Sequence, residues 1–184
     1  MHKEVMENII APTLSELKKR GIEYKGFLYA GLMIDGNEIK VLEYNCRFGD
    51  PETQPILMRM NSDFADLCLR ACEYNLKDFE IDWDKRSSIG VVMASGGYPE
   101  SYAKGSEIKG IPEEKENLKV FHCGTIQDKG LLKSNGGRVL CVTALGEDLS
   151  QAIDTAYKAT GNINWDGCFF RSDIGQRDIS SNKS

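Results

Sequence analysis

The sequence has no Cys-x-x-Cys pair, no excess of positive charge and no long apolar run. Its longest uninterrupted apolar run, Phe27 to Ile34, is far shorter than the roughly 20 residues that span a bilayer. The formal net charge of −5 argues against a nucleic-acid surface, because such surfaces concentrate Lys and Arg to neutralise phosphates. We therefore expect neither a membrane span nor a nucleic-acid partner.

The six cysteines are interpreted as thiols of a cytoplasmic protein. Without a Cys-x-x-Cys pair or a signal-peptide pattern at the start, neither a disulfide framework nor a metal site is favoured. Cys68 and Cys72 lie four residues apart on a predicted helix, where two buried thiols are commoner than half of a zinc site. We expect a cytoplasmic location and no structural zinc.

The first predicted elements are a helix and a hairpin. Apolar residues at helical spacing predict an amphipathic helix over residues 4–20, which Pro12 should kink or restart. Two β-rich runs, Gly26 to Ile34 and Ile39 to Asn45, flank the stretch Asp35 to Glu38, whose Asp-Gly and Asn residues tolerate the positive φ of a tight turn. These runs predict an antiparallel pair.

The end of the second predicted strand carries oxygen-bearing side chains. The two-residue period of a strand assigns one face to Val41, Glu43, Asn45 and Arg47, and the other to Leu42 and Tyr44. A carboxylate with a neutral amide suits Mg²⁺, for which proteins often supply one or two side chains while phosphates and waters complete the shell. Arg47 can hold an anionic group through its planar donor fork. On periodicity alone, a solvated strand face with a weak ion pair remains the alternative.

A composition change divides the predicted chain in two. A helix is predicted from an N-cap at Ser62 to about Asn75, and a polar stretch, Lys77 to Ser88, follows it. At 184 residues, the chain has the length of one domain or two small ones. We predict domains over residues 1–83 and 84–178, and a polar, disordered tail over residues 179–184.

The second predicted domain consists mainly of short strands. A helix over Leu149 to Thr160 begins at Asp148 or Glu147. The predicted strand segments are Ile89 to Ser95, Leu118 to Cys123, a hairpin around Asp128-Lys-Gly130, Arg138 to Leu145, and a short apolar piece from Cys168 to Phe170. Together with the first domain, this pattern predicts the α+β class.

Six motifs, taken in their order and spacing, make the sequence resemble the glycinamide ribonucleotide synthetase family, also called phosphoribosylamine-glycine ligases. Each motif alone is degenerate. The motifs are Gly26-Phe-Leu-Tyr-Ala-Gly-Leu-Met-Ile34, Glu43-x-Asn45-x-Arg47-Phe-Gly-Asp-Pro-Glu-Thr-Gln54, Gly97-Tyr98-Pro99, Phe121-His-x-Gly124-Thr125, Asn135-Gly-Gly-Arg-Val-Leu140 and Arg171-x-Asp-Ile-Gly175.

The resemblance implies a fold and an activity. The implied fold is the C-terminal part of an ATP-grasp domain, built of antiparallel strands with helices, followed by a small mixed β-rich C-terminal domain. The implied activity is that of an ATP-dependent carboxylate-amine ligase of purine biosynthesis. Its members activate glycine as glycyl phosphate, which 5-phosphoribosylamine then attacks.

The resemblance also implies site residues and cofactors. It places metal ligands at Glu43 and Asn45, nucleotide binding at Leu42 and a catalytic, charge-stabilising role at Arg47. The implied metal is Mg²⁺ or Mn²⁺, with ATP as co-substrate. Many ATP-grasp relatives have a further carboxylate ligand on the preceding strand, but Tyr29-Ala30-Gly31 offers none, so the metal shell should depend more on phosphates and water.

The family has an N-terminal substrate domain and a glycine-rich ATP lid before the region that this sequence matches. We therefore expect the chain to be the carboxy-terminal part of the enzyme and to be inactive alone. The alternatives are another ATP-grasp ligase or a carboxylase, and a non-catalytic assembly module. The Phe-Gly-Asp-Pro-Glu-Thr-Gln continuation after Arg47 favours the glycine ligase over other ATP-grasp enzymes.

Four residues keep two interpretations each. Asp50 and Glu52 can position Arg47 or face the substrate amine, and they can equally cap the following loop. His122, at a predicted strand end, is more often structural than catalytic in such a place. Arg138 follows two glycines, which suits an anion site or an exposed hairpin turn.

Overall fold

Helices and antiparallel strands make up the computed structural model, which describes residues 1–36 and 38–176 and confirms the α+β class. The chain divides into two units, Met1–Asp50 with Ser62–Ile81, and Pro51–Asn61 with Asp82–Ser184. The domain assignment of residues 1–83 and 84–178 stays a prediction, and the predicted disordered tail lies outside the described residues. No helix in the described part of the chain is long and apolar enough to cross a membrane.

The first unit begins with a helical run in three pieces. Helix α1 (His2–Val5) passes through a π-helical segment (Met6–Ile10) into helix α2 (Ala11–Lys19). In a regular α-helix the Pro12 ring would clash with the carbonyl four residues earlier, and the wider π turn before α2 gives it room. Instead of the predicted kink or restart at Pro12, the backbone stays helical throughout, with a change from π-helical to α-helical geometry at Ala11.

The predicted hairpin is also present. Strands β1 (Tyr29–Asp35) and β2 (Glu38–Asn45) pair antiparallel. Helix α4 (Phe64–Cys72) completes the elements of this unit, and its N-cap is Asp63, whose carboxylate accepts hydrogen bonds from the N–H groups of Ala65 and Asp66. The predicted cap at Ser62 is therefore wrong by one residue, and the helix ends at Cys72, three residues before the predicted end near Asn75.

The first unit buries little apolar surface of its own. Among its described residues, Leu67 is the one buried large apolar side chain. Large apolar side chains on its helices and hairpin, including Met33 at 53% exposed and Leu69 at 56%, stay in contact with solvent. Much of the unit's apolar surface is thus unpacked in this chain.

The second unit is built on a four-stranded antiparallel sheet in the order β4-β7-β3-β8. The strands are β3 (Ser87–Ser95), β4 (Leu118–His122), β7 (Arg138–Gly146) and β8 (Cys168–Phe170). A separate hairpin joins β5 (Thr125–Asp128) to β6 (Leu131–Ser134). Each predicted strand segment of this region is confirmed to within two residues at each end.

A helix covers each face of this sheet. Helix α5 (Leu149–Thr160), capped by Asp148, packs Ala152, Ile153 and Ala156 into one core with alternate residues of β3, β7 and β4. On the opposite face, Gly90 of β3 lies against Pro55 of helix α3 (Thr53–Arg59): a Cβ added at Gly90 would sit 3.4 Å from the Pro55 Cδ. The core of the described chain lies in this unit.

Helix α3 has no counterpart among the predicted elements. The helix is short, and a proline such as Pro55 in its first turn is usually taken as a sign that no helix forms there. A proline is tolerated there because first-turn N–H groups have no acceptor within the helix. The stretch therefore continues from the Arg47 loop directly into a helix.

An ion-pair network fastens α3 to the beginning of β3. The Arg59 guanidinium donates two hydrogen bonds to the Asp84 carbonyl, at 3.1 and 2.9 Å. Arg86 binds both carboxylate oxygens of Asp84 and also reaches Glu116 at 3.0 Å. Hydrogen bonds from Arg86 lower the pKa of Asp84 to about 2, from an ordinary value of 3.8.

This network predicts a pH-dependent contribution to stability. Because the Asp84 pKa is depressed in the folded protein, its stabilisation is present above pH 3.8 and is lost as the pH falls through about 2. We expect Arg86→Gln to lower the free energy of unfolding at neutral pH, and the difference from the parent to shrink over that acidic window. Urea unfolding of both proteins at a series of pH values measures this difference in the free energy of unfolding.

Lys119→Gln is the matched control, since Lys119 makes a single ion pair with Glu114, at 3.4 Å, on the same unit. Exposed single ion pairs contribute little to stability, so this variant should have the same free energy of unfolding as the parent at every pH. An Arg86→Gln effect that stays constant from neutral pH down to about 2 would contradict the role of the Asp84 carboxylate.

Candidate functional site

One extra residue in β2 separates the two faces of the hairpin. Gly31 pairs with Glu43 and Leu32 pairs with Val41, so Leu42 has no partner and forms a β-bulge. Paired residues share a face, and neighbouring residues of β1 alternate. Glu43 and Val41 therefore lie on opposite faces.

The bulge makes one face polar and the other apolar. Glu43 and Asn45 share the first face with Gly31 and Tyr29. The second face is uniformly apolar and consists of Ala30, Leu32, Ile34, Ile39, Val41 and Tyr44. The predicted placement of Val41 beside Glu43 is therefore wrong, whereas the predicted pairing of Glu43 with Asn45 on one face is in agreement with the register.

The apolar positions of β2 carry a sequence signal for the bulge. Apolar residues occupy positions 39 and 41, and then positions 42 and 44. Unbroken alternation would keep them all at odd or all at even positions. The change of phase at Val41-Leu42 marks the place where the extra residue enters.

Glu43 and Asn45 touch each other. The Asn45 Nδ2 donates a hydrogen bond to the Glu43 Oε1 at 3.0 Å. Opposite them, Gly31 leaves room for the glutamate: a Cβ there would lie 3.0 Å from the Glu43 Cγ and 3.5 Å from the Tyr29 Cε1. The sequence motifs contain Gly31, but only the cross-strand register shows what its missing side chain makes possible.

The Arg47 side chain turns back on its own loop. Its Nη1 donates to the Phe48 carbonyl at 2.7 Å. The Phe48 ring stacks on Phe27, with centroids 4.0 Å apart, and both rings lie about 6 Å from Phe64. This aromatic cluster holds the loop that carries Arg47 between the start of β1 and helix α4.

Two further contacts fix the end of β2. The Tyr44 hydroxyl lies 2.9 Å from the Thr13 hydroxyl of α2. Burial raises the pKa of Tyr24, and a hydrogen bond with the Cys46 side chain raises it further. Leu42, by contrast, projects from the bulge with 63% of its surface exposed.

The remaining predicted residues occupy other places. The His122 Nδ1 lies 3.1 Å from the Thr125 hydroxyl at the turn between β4 and β5. Asp50 and Glu52 each have a partner in the structure. No group of three or more His, Cys, Asp or Glu side chains that could hold a metal occurs among the described residues.

Two family models match the sequence. The model described as "Phosphoribosylglycinamide synthetase, ATP-grasp (A) domain" matches residues 1–53, and "Phosphoribosylglycinamide synthetase, C domain" matches residues 88–177. Together they cover the candidate site and the sheet of the second unit.

Individual proteins are similar over almost the whole chain. The phosphoribosylamine-glycine ligase of Escherichia coli strain K12 is 55% identical over 183 residues, which are 97% of this chain and 42% of the relative. The crystal structure of the Thermotoga maritima phosphoribosylamine-glycine ligase superposes with a TM-score of 0.80 at 34% identity, over 92% of this chain and 42% of that one. The chain thus spans about 42% of the length of these relatives.

A more distant likeness concerns the fold alone. The biotin carboxylase of Campylobacter jejuni matches with a TM-score of 0.57 at 16% identity, over 89% of this chain and 36% of that one. The arrangement of elements is therefore shared with a second kind of enzyme.

The bulge yields a prediction about local stability. Deleting Leu42 would leave Val41 opposite Leu32 and Glu43 opposite Gly31, so both faces are kept, whereas deleting Tyr44 would turn Glu43 and Asn45 to opposite faces. We expect the Tyr44 deletion to destabilise the hairpin by about 1–3 kcal/mol, the scale of exposing one or two apolar side chains, and the Leu42 deletion to leave its stability nearly unchanged. Amide hydrogen exchange along β1 and β2 measures this local free energy.

Leu42→Ala is the control, because it keeps the extra residue and removes only an exposed side chain. It should change the exchange rates by less than about 0.5 kcal/mol in equivalent free energy. If the deletions of Leu42 and Tyr44 gave the same exchange pattern, Leu42 would not be the extra residue that sets the two faces.

Proposed function

This chain belongs to the phosphoribosylglycinamide synthetase family, the phosphoribosylamine-glycine ligases, and on that premise we propose that it carries the metal-binding part of such a ligase. The proposed reaction joins glycine to 5-phosphoribosylamine, with ATP activating glycine as glycyl phosphate, in purine biosynthesis. The proposed location is the cytoplasm.

The observation that carries the proposal is the contact between Glu43 and Asn45 on the polar face of the hairpin. A carboxylate and an amide oxygen are ligands that Mg²⁺ accepts, with phosphates and water completing the shell. In the structure the amide nitrogen of Asn45 faces the carboxylate, and a half-turn of the amide would present its oxygen instead. The residues present therefore fit a hard divalent ion shared with a nucleotide.

The ligand set also suits binding to a triphosphate. ATP-grasp ligases use ATP and a divalent metal, which when bound neutralises phosphate charge. Glu43 adds one negative charge and Asn45 adds none, so the protein repels the phosphate oxygens less than two carboxylates would.

We assign Arg47 and Leu42 to the same site. One N–H of the Arg47 guanidinium is used on the Phe48 carbonyl, which orients the planar group. Its role in the proposal is to stabilise the negative charge of the transferring phosphoryl group. Leu42, exposed on the bulge, offers an apolar contact for the nucleotide.

The chain covers about 42% of its relatives, so the complete reaction is proposed for the whole ligase. Turnover by the 184-residue chain alone is not expected, and the chain alone should bind the metal–ATP complex only weakly. The likeness to a biotin carboxylase does not favour carboxylation, since it concerns the fold. The Phe-Gly-Asp-Pro-Glu-Thr-Gln stretch after Arg47 supports the glycine ligase.

A chimeric enzyme tests the proposed activity. In it, this chain replaces the matching 42% of the Escherichia coli ligase, and ADP release is measured with glycine and phosphoribosylamine. We expect the chimera to turn over and Glu43→Gln to lower kcat/KM by about 100-fold or more, because even loss of a residue that only orients a metal ligand costs about 10- to 100-fold.

Glu38→Gln is the matched control, since Glu38 is an exposed acid on the same face of the same hairpin. It should leave kcat/KM unchanged. A direct readout uses Mn²⁺ with ATP and the 184-residue chain: we expect paramagnetic broadening of the Asn45 signals, abolished in Glu43→Gln. Broadening centred elsewhere, or a fully active Glu43→Gln chimera, would refute the assignment.

A further inference from the structure

The connection between β6 and β7 is short and contains the one Asn-Gly pair of the sequence. It consists of Asn135, Gly136 and Gly137, which lie between Ser134 at the end of β6 and Arg138 at the start of β7. Asparagine is a thermolabile residue. How fast its side-chain amide is lost depends on the residue that follows, because the next backbone nitrogen is the group that attacks it.

The side-chain amide of Asn135 is accessible to such an attack. The residue is exposed, and within residues 1–36 and 38–176 its amide makes no hydrogen bond. Other asparagine amides of the chain are bound: that of Asn45 donates to Glu43 at 3.0 Å, and that of Asn162 donates to the Lys158 carbonyl at 3.1 Å. The Asn135 amide is therefore held only by solvent.

The attacking nitrogen, that of Gly136, is also accessible. In the part of the chain that the structure describes, its N–H donates to no acceptor, whereas the N–H of Asn135 donates to the Gly124 carbonyl at 2.7 Å. An N–H outside the hydrogen-bond network of a fold is open to base, as amide hydrogen exchange shows. Because Gly136 has no Cβ, no side chain obstructs the approach of its nitrogen to the Asn135 side chain.

We propose that Asn135 is a site of spontaneous deamidation in the folded protein. The Gly136 nitrogen loses its proton to base and bonds to the Cγ of Asn135, and the side-chain nitrogen takes a proton from solvent and leaves as ammonia. Water then opens the resulting succinimide at either carbonyl, which yields aspartate or isoaspartate. The net reaction consumes one water molecule and releases one ammonia, and it involves no oxidation or reduction.

The isoaspartate product changes the main chain, because the Cβ of residue 135 becomes part of the backbone. Both sides of the altered bond are held in place. The Asn135 N–H donates to the Gly124 carbonyl, and Ser95 donates to the Gly136 carbonyl at 3.0 Å through its hydroxyl and to the Gly137 carbonyl at 2.8 Å through its N–H. A three-residue connection held at both ends has no slack for an extra atom. We therefore expect isoaspartate to break one of these hydrogen bonds and to loosen the start of β7.

This inference goes beyond the proposed function and does not depend on it. It concerns the motif Asn135-Gly-Gly-Arg-Val-Leu140, which the Glu43 site does not explain. The same glycine that keeps the β6–β7 connection tight also leaves the asparagine before it unprotected. The connection thus has a lifetime that is set by its own covalent chemistry.

Incubation of the folded 184-residue chain at neutral and mildly alkaline pH, with peptide mass spectrometry of samples taken over time, tests the proposal. We expect loss of the Asn135 amide, release of ammonia and the appearance of isoaspartate in the tryptic peptide of residues 134–138. The loss should be faster at the higher pH, because the attacking nitrogen must first be deprotonated.

Asn75 is the matched control within the same molecule. It is also exposed, and its side-chain amide makes no hydrogen bond among the described residues, but the branched Leu76 follows it. The Asn75 amide should be retained while that of Asn135 is lost. The variant Asn135→Gln should also keep its side-chain amide, since attack on a glutamine forms a larger ring. Loss at Asn135 that is no faster than at Asn75 would overturn the proposal.

Amide hydrogen exchange tests the effect on the fold. Residues 139–141 of β7 should exchange faster in the isoaspartate-containing protein than in fresh protein. Asn135→Asp adds the negative charge without the extra main-chain atom, so it should exchange as fresh protein does. Unchanged exchange in the isoaspartate-containing protein, or equally fast exchange in Asn135→Asp, would overturn the role assigned to the lengthened main chain.

Discussion

A single unpaired residue determines which side chains of the hairpin can act together. Leu42 shifts the phase of β2, so that Glu43 and Asn45 face away from Ile39, Val41 and Tyr44. With unbroken alternation, Ile39 and Val41 would lie on the same face as Glu43 and Asn45. Either the Glu43 carboxylate would then pack against apolar groups, or the apolar side chains would be exposed to water. The bulge lets one short strand both pack an apolar face and present ligands.

The two units are stabilised in different ways. The second has a sheet with a helix on each face and a buried apolar core, so its strand ends are held firmly. The first has few buried side chains, and the loop that carries Arg47 depends instead on three phenylalanines that pack together, on the hydrogen bond from the Tyr24 hydroxyl to the Phe27 carbonyl and on the hydrogen bond between the hydroxyls of Tyr44 and Thr13. We infer that precise placement of Glu43 relies on these local contacts more than on a core.

Much of this organisation could be predicted from the sequence because it is periodic. The hairpin, the strands of the sheet and α5 with its Asp148 cap follow from local patterns. Helix α3 could not, since Pro55 in a short helix looks like a breaker. The hydrogen bond from Arg47 to the Phe48 carbonyl could not be predicted either. Every residue has a backbone carbonyl, so the sequence does not show which one accepts. The phase change at Val41-Leu42 was present in the sequence, and strict two-residue counting concealed it.

Net charge proves a poor guide to what such a chain can bind. The chain carries −5, yet the site proposed at the hairpin is for the phosphate groups of a nucleotide. At physiological salt, charges more than about 8 Å apart are largely screened, so the ligand responds mainly to the nearest groups. At the hairpin a metal ion would supply the positive charge that the protein lacks. Local donor geometry, rather than the sum of charges, therefore decides where phosphate binds.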